Sequence, residues 1–116
     1  MPASLVGNYD TNGYARNLDV VGDYAYVADD SAGLKIINIS NPAAPTLLTS
    51  YNTSGQASGV EVVGDYAYVA NGYSGLQIIN ISNPTAPTTV GNYNTPGFAM
   101  CARVVGDYAY VADGGL

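Results

Sequence analysis

The chain has 116 residues, of which 47% are hydrophobic and only 10% are charged. Val, Ile, Thr, Tyr and Gly are abundant while Glu, Lys, Arg and Gln are scarce, and this composition favours strands joined by tight turns. The net charge is −6 and the cations are only Arg16, Lys35 and Arg103, whereas nucleic acid is bound by clustered Lys and Arg. We therefore expect an all-β chain that does not bind nucleic acid.

The sequence shows no membrane or export signal. No apolar run reaches the roughly 20 residues of a membrane-spanning helix, so we expect no membrane insertion. The start, Met-Pro-Ala-Ser, lacks the basic and apolar segments of a signal peptide. Cys101 is the single cysteine and forms no internal disulfide, so cysteine usage leaves the compartment open.

A repeat of 42 residues decides the fold class. The string Val-Val-Gly-Asp-Tyr-Ala-Tyr-Val-Ala begins at Val20, Val62 and Val104, and the ten residues from Gly33 return from Gly75 with one change. A period near 42 residues with strand-like content is typical of a β-propeller blade of four antiparallel strands. We read the chain as one propeller fragment of about 2.75 blades, with repeats at 5–46 and 47–88 and a truncated repeat at 89–116.

Turn residues place the strands, which we count from the ring axis outward. The chain is predicted to open on the outermost strand of a blade, at 5–10. A complete blade then follows, in which Gly22-Asp23 suits a type II′ hairpin turn between the first two strands and Asn41-Pro42 ends the third. Its four strands are predicted at 15–21, 24–28, 34–40 and 46–51. The third blade stops after two strands, which leaves its third position empty.

The side-chain pattern predicts how blades stack. Along Tyr24-Ala25-Tyr26-Val27-Ala28 the large tyrosines face one side and small apolar residues the other. The third strand places isoleucines on both sides, as in a sheet that is covered on both faces. We expect the tyrosine face of one blade to pack against the small-residue face of the next.

These residues carry a family resemblance. Gly-Leu-Lys-Ile-Ile-Asn-Ile-Ser-Asn-Pro from Gly33, with Val-Gly-Asp-Tyr-Ala-Tyr-Val-Ala before it and Pro-Thr-Leu-Leu-Thr-Ser-Tyr after it, resembles the LVIVD repeat. The resemblance covers essentially the whole chain. It implies a β-propeller of bacterial or archaeal type, often at the cell surface. Asn38 and Asn80 stand where the family has Asp, and the chain has fewer repeats than family members carry, as in a fragment or a designed protein.

Ring closure then becomes the functional question, because propellers hold about four to eight blades. We expect the chain to assemble head to tail with itself, as a homodimer with six blade positions or, alternatively, a homotrimer with nine. The contact is predicted between 5–10 of one copy and 99–113 of another. The residues expected at this interface are Leu5, Val6, Tyr9, Val104, Tyr108 and Tyr110.

Loops at one end of the blades are candidates for ligand binding. In each blade, one of these loops leads into the innermost strand and another joins the second strand to the third. Their residues differ more between repeats than those of the strands do. Their candidate residues are Tyr14, Asp29, Asp30, Gln56, Asn71, Tyr73 and Phe98. This pattern suits a cell-surface propeller that binds a glycan or a protein, but neutral variation of exposed turns is the simpler explanation.

Asp19, Glu61 and Arg103 share one register of the innermost strand. They form either a charged channel or a set in which the Arg offsets the carboxylates. Asp19 and Glu61 are also the only carboxylate pair in the sequence that could serve a glycosidase, and nothing else in the sequence supports that use. The chain contains no His, so His-based triads and most zinc sites are excluded. We expect no enzyme, no metal and no cofactor.

Overall fold

The computed structural model describes residues 7–11 and 13–114, and this part of the chain is all-β. It contains no helix, and hence none that could cross a membrane. The ten strands in chain order are β1 (Asn17–Val21), β2 (Tyr24–Ala28), β3 (Leu34–Asn38), β4 (Thr46–Tyr51), β5 (Gly59–Val63), β6 (Tyr66–Ala70), β7 (Leu76–Asn80), β8 (Thr88–Tyr93), β9 (Phe98–Val105) and β10 (Tyr108–Gly114).

The strands form three antiparallel sheets, as the repeat predicts. The first sheet has the order β1-β2-β3-β4, the second β5-β6-β7-β8, and the third contains only β9 and β10. The registers repeat as well, since Val27 pairs with Lys35 in the first sheet and Val69 with Gln77 in the second. The all-β class and the blade-like sheets predicted from the sequence are thus confirmed.

The hairpin turns between the first two strands of each sheet share one geometry. Gly22, Gly64 and Gly106 have φ values of 59°, 58° and 58°. The Asp that follows each of them does not have a positive φ. This combination fits the predicted type II′ turn, in which Gly takes the first position because a side chain there would be strained.

The first and second sheets stack with the predicted pairing of faces. Tyr26 and Ile36 from the first sheet lie in one core with Ala67, Val69 and Ile79 from the second. All five side chains are buried. This interface contains the largest buried apolar cluster in the described part of the chain, and each buried side chain of this size contributes roughly 1.5–3 kcal/mol.

The second and third sheets repeat that arrangement with fewer side chains. Ala70 and Leu76 from the second sheet pack with Ala99 and Ala102 from β9, and Tyr68 lies at the margin of the cluster. The opposite face of the third sheet is open: its tyrosines Tyr108 and Tyr110, together with Val105 and Met100, are exposed.

Of the predicted outermost strand at 5–10, residues 5 and 6 lie outside the described residues, and residues 7–10 are not part of a strand. A strand needs a hydrogen-bonded neighbour, and residues 7–10 have no ladder partner among the described residues. The segment nevertheless runs alongside the first sheet. Tyr9 packs on the cluster of Ala25, Val27 and Ile37, and a Cβ on Gly7 would collide with the backbone of Pro42.

Candidate functional site

The loops predicted to bind a ligand meet at one end of the stacked sheets. Asp30 forms an antiparallel bridge with Ala57, and Gly72 forms the same bridge with Ala99. Each loop between the second and third strands therefore pairs with the chain where it enters the next sheet, just before β5 or at the start of β9. The sequence-predicted candidates on these loops come together across two sheet boundaries.

Some of these candidates contact one another at the surface. The Arg16 Nε donates to the Asp30 Oδ1 at 2.7 Å. The rings of Tyr73 and Phe98 meet edge to face with centroids 4.9 Å apart. Tyr14 and Tyr73 are 76% and 64% exposed, so these two rings are available to a ligand. Gln56 is exposed too, and its Cβ lies close to Gly72.

Asp29 and Asn71, in contrast, are buried and bond to the loop segment that precedes the first strand of their own sheet. The Asp29 Oδ1 accepts from the Thr11 hydroxyl at 2.8 Å. The Asn71 Nδ2 donates to the Thr53 carbonyl oxygen at 2.6 Å and to the Gln77 Oε1 at 3.2 Å. These two side chains join neighbouring segments of the chain, and a ligand at the loop surface would not reach them.

A third member of this set was not singled out from the sequence. Asp113 stands one repeat after Asn71, and its Oδ2 accepts from the Gly97 backbone N–H at 2.9 Å. Like the Asp29 Oδ2 and the Asn71 Oδ1, its Oδ1 is buried and has no hydrogen-bond partner among the residues that the structure describes. The common spacing of Asp29, Asn71 and Asp113 is a signal that could have grouped them.

The charges predicted at the axis tie the innermost strands together. The Val62 N–H donates to the Asp19 Oδ2 at 2.8 Å, and the Val104 N–H donates to the Glu61 Oε1 in the same way. Arg103 lies 3.6 Å from the Glu61 carboxylate. Both acids therefore bind the backbone of the following sheet, and the Arg lies beside one of them as in the charge-offsetting alternative.

The residues predicted at an interface between copies fall into three groups. Tyr108 and Tyr110 are exposed on the third sheet, and Val104 beside them is half-buried. Tyr9 packs on the first sheet of its own chain. Leu5 and Val6 lie outside the described residues.

Metal-ligating, titratable and thiol side chains were also compared with the candidate site. Within residues 7–11 and 13–114, no three His, Cys, Asp or Glu side chains come together as a metal site. Burial raises the pKa of the Tyr26 hydroxyl above its ordinary value of 10.0, and the neighbouring Tyr24 adds to the shift. Cys101 is half-buried in β9, where it pairs with Ala112.

Stacked four-stranded antiparallel sheets, tied at their innermost strands, define a β-propeller-like repeat protein. The LVIVD repeat family matches the sequence three times, over residues 12–53, 54–95 and 96–116. The chain therefore belongs to the LVIVD repeat family. The first two matches each enclose one whole sheet, whereas the repeats read from the sequence begin at the outermost strand. No curated protein matches the chain as a relative.

Proposed function

We propose that the chain is a non-catalytic β-propeller repeat module that associates head to tail with copies of itself. The observation that carries the proposal is a pair of complementary exposed surfaces: the tyrosine face of the third sheet, and strand β1 of the first sheet, beside which Ala25, Val27 and Ile37 are already buried with Tyr9 packed on them. Tyr110 is 60% exposed on the third sheet, whereas its counterpart Tyr26 is 5% exposed. Leu18 is 57% exposed on the first sheet, whereas its counterpart Val60 is 5% exposed.

The contact between these faces already exists inside the chain. Tyr26 and Val60 share the core between the first and second sheets. If the third sheet of one copy stacks on the first sheet of another, Tyr110 and Leu18 take those two places. Such a contact is heterologous, and it gives a closed ring when the rotation closes. Two copies supply six blade positions, within the usual range of about four to eight, and three copies supply nine.

The placement of the acids supports a role without catalysis. Asp19 and Glu61 are the one carboxylate pair that the sequence offers for glycoside hydrolysis, and each already accepts a backbone N–H of the following sheet. A general acid or nucleophile must reach the substrate. Loss of those bonds would weaken the stack, so their use as ties explains the two acids without a substrate.

The mass of the particle in solution tests the association. Light scattering coupled to size-exclusion chromatography should show a dimer or a trimer at about 100 μM, because specific interfaces of standard size have Kd values of about 1 μM or lower. Tyr110→Lys should weaken association about 10- to 100-fold, because one buried aromatic ring contributes roughly 1.5–3 kcal/mol. Tyr73→Lys, a comparably exposed tyrosine that lies at the boundary between the second and third sheets of one copy, is the matched control and should leave the mass unchanged. A monomer for the unmodified chain at this concentration contradicts the proposal.

The exposed rings at the loop end favour a second candidate, a surface propeller that binds a glycan or a protein. Tyr14 and Tyr73 present large flat apolar faces, and Tyr73 is held in place by Phe98. Exposed aromatic rings next to polar groups suit such ligands. Binding on a glycan array that is lost in Tyr73→Ala, but kept in Tyr93→Ala on the exposed outer strand β8, would support it; an array without any signal would count against the glycan.

A further inference from the structure

Three short segments of the chain read Asn-x-Ser with a middle residue other than Pro, which is the acceptor sequence for attachment of a glycan to the Asn side chain. They begin at Asn38, Asn52 and Asn80. Asn38 and Asn80 are the last residues of β3 and β7 and hold the same place in the first and second sheets, and Asn52 directly follows β4. All three therefore lie where a strand ends and the chain turns.

The side-chain oxygen of each Asn stabilises the turn. The Asn38 Oδ1 accepts from the Ser40 backbone N–H at 2.9 Å and from the Ser40 hydroxyl at 2.6 Å. Asn80 and Ser82 form the same two bonds, at 2.9 Å and 2.7 Å. The Asn52 Oδ1 accepts from the backbone N–H two residues further on, also at 2.9 Å. An Asp would serve these turns equally, because its carboxylate oxygen accepts the same bonds.

What an Asn adds to such a turn is its amide nitrogen, Nδ2. The structure gives no hydrogen bond from the Nδ2 of Asn38, Asn52 or Asn80 to any residue that it describes. Asn52 is exposed, and the other two are half-buried, each with an exposed Ser two residues further on. A glycan on Nδ2 leaves the amide oxygen as an acceptor, so the modified chain can keep each turn.

A fourth segment makes the same turn without the acceptor sequence. Asn83-Pro84-Thr85 has a hydroxyl two residues after the Asn, but its middle residue is Pro, which the acceptor sequence excludes. The Asn83 Oδ1 accepts from the Thr85 backbone N–H at 3.2 Å and from the Thr85 hydroxyl at 2.8 Å. These bonds match those of Asn80, so this segment separates a role in the turn from a role as an acceptor.

We propose that Asn38, Asn52 and Asn80 are acceptors for N-linked glycans, which an oligosaccharyltransferase attaches from a lipid-pyrophosphate-linked oligosaccharide. In this reaction Nδ2 forms a bond to C1 of the first sugar, and the bond between C1 and the pyrophosphate oxygen breaks. The lipid pyrophosphate leaves, and Nδ2 gives up one proton to a base of the transferase, so nothing is oxidised or reduced. The inference does not depend on head-to-tail association or on ligand binding at the loops.

The ladder around Asn38 and Asn80 determines when their glycans are added. Each of the two pairs with residues on both neighbouring strands, so the folded sheet occupies the backbone that a transferase has to bind. Their glycans are therefore attached before the sheet forms. The finished sheet accommodates them because the ladder uses backbone groups and leaves Nδ2 at the end of the strand.

Secretion of the whole chain from a eukaryotic cell line, behind a leader that is cleaved off, tests the inference. Peptides of the secreted chain are treated with peptide N-glycosidase in heavy-oxygen water, which converts each Asn that carried a glycan into a mass-labelled Asp. Mass spectrometry, with an untreated sample beside it, then maps the label. We expect the label at Asn38, Asn52 and Asn80 and not at Asn83, on a chain that keeps its β-sheet circular dichroism spectrum.

Single substitutions assign each glycan. Ser40→Ala and Ser82→Ala should each remove the mass of one glycan, because the hydroxyl two residues after the Asn is lost, whereas Ser40→Thr should keep it. Pro84→Ala should add a glycan at Asn83. Asn38→Asp retains the acceptor oxygen of the turn, so it should lose the glycan and keep the fold.

Three outcomes overturn the inference: a secreted, folded chain without label at Asn38 and Asn80; label at Asn83 in the chain that retains Pro84; or a glycosylated chain that has lost its β-sheet spectrum, because its turns would then not tolerate the glycan. The proposed function fails separately. A chain that stays monomeric in light scattering but carries the glycans refutes head-to-tail association alone, whereas an oligomer without glycans refutes only the acceptor sites.

Discussion

The two boundaries between sheets use the same repeat but differ in how completely they are filled. Between the first and second sheets, Tyr26, Ile36 and Ile79 meet in a closed core. Between the second and third, the cluster holds Ala70, Leu76, Ala99 and Ala102, and a cleft beside Tyr68 stays open. The second strands β2, β6 and β10 share the run Tyr-Ala-Tyr-Val-Ala, but the innermost strands differ, with Ala102 at the second boundary where the first has Val60. The first boundary also contains Ile79 and Ile81, from β7 and just after it.

The two boundaries indicate that a sheet buries its tyrosine face through the next sheet and not through its own hairpin. The β9–β10 hairpin has the turn, the register and the tyrosines of the first two sheets, yet its tyrosines remain in solvent. Hydrogen bonds in a two-stranded ladder alone give marginal stability in water. Burial of the tyrosine face requires the next sheet, as expected for repeat proteins, whose stability is shared between adjacent units.

The largest expected difference between the two boundaries is in the free energy of unfolding lost when a tyrosine at the same register is replaced. Tyr26→Ala should destabilise the chain by about 3–5 kcal/mol, because it empties a buried aromatic site. Tyr110→Ala, at the same register of the exposed sheet, should change the free energy of unfolding of the monomer by less than about 0.5 kcal/mol. Urea unfolding of both variants, at a concentration where the chain is monomeric, measures the contrast. Equal losses would show that the open boundary is closed in solution.

A smaller difference in the free energy of unfolding is expected between two variants on the innermost strands. Asp19→Ala should cost about 1–3 kcal/mol, because the Val62 N–H loses a charged acceptor. Arg103→Ala, at the same register two repeats later, removes only a partly exposed ion pair and should cost at most about 1 kcal/mol. The same unfolding experiment compares the two. If Arg103→Ala were the more harmful change, the acids would not be the main ties between these strands.

The smallest effect concerns pH. Because burial raises the pKa of Tyr26 above 10.0, the native state holds this proton more tightly than the unfolded chain does. Its contribution to stability is therefore complete below pH 10 and is lost as the pH rises through the raised pKa. Tyr26→Phe should move the alkaline unfolding midpoint to higher pH and leave the pH 7 unfolding curve nearly unchanged. Circular dichroism across this range is the measurement, and an unmoved alkaline midpoint would show that another group controls alkaline unfolding.

Much of the fold could be predicted because three copies of one pattern constrain each other. The alternation along Tyr24–Ala28 gave the two faces, and the Gly22-Asp23 pair gave the hairpin turn. The third strand was predicted two residues too long, at 34–40, since Ile39 bonds to the Asp23 carbonyl oxygen beyond the regular ladder. Periodicity determines which side of a sheet a residue faces, and this is what the stacking depends on.

The candidate site was harder to predict, because it depends on where loops cross between sheets. Asp29 and Asn71 were expected at the surface from their place in a loop. They are buried because the residues just after them bridge to the next sheet. The packing of Tyr9 on its own chain was also missed, since the sequence pattern of an outermost strand does not tell which sheet will cover it.

The ties along the innermost strands run in one direction, and they end at Arg103. Asp19 and Glu61 each reach forward to a backbone N–H of the following repeat, but a guanidinium has no acceptor atom with which to continue the series. In a ring of such modules, the contact between one copy and the next, here called a seam, would then lack this side-chain-to-backbone hydrogen bond. The ring would open and reclose at those seams, and the number of seams would equal the number of copies.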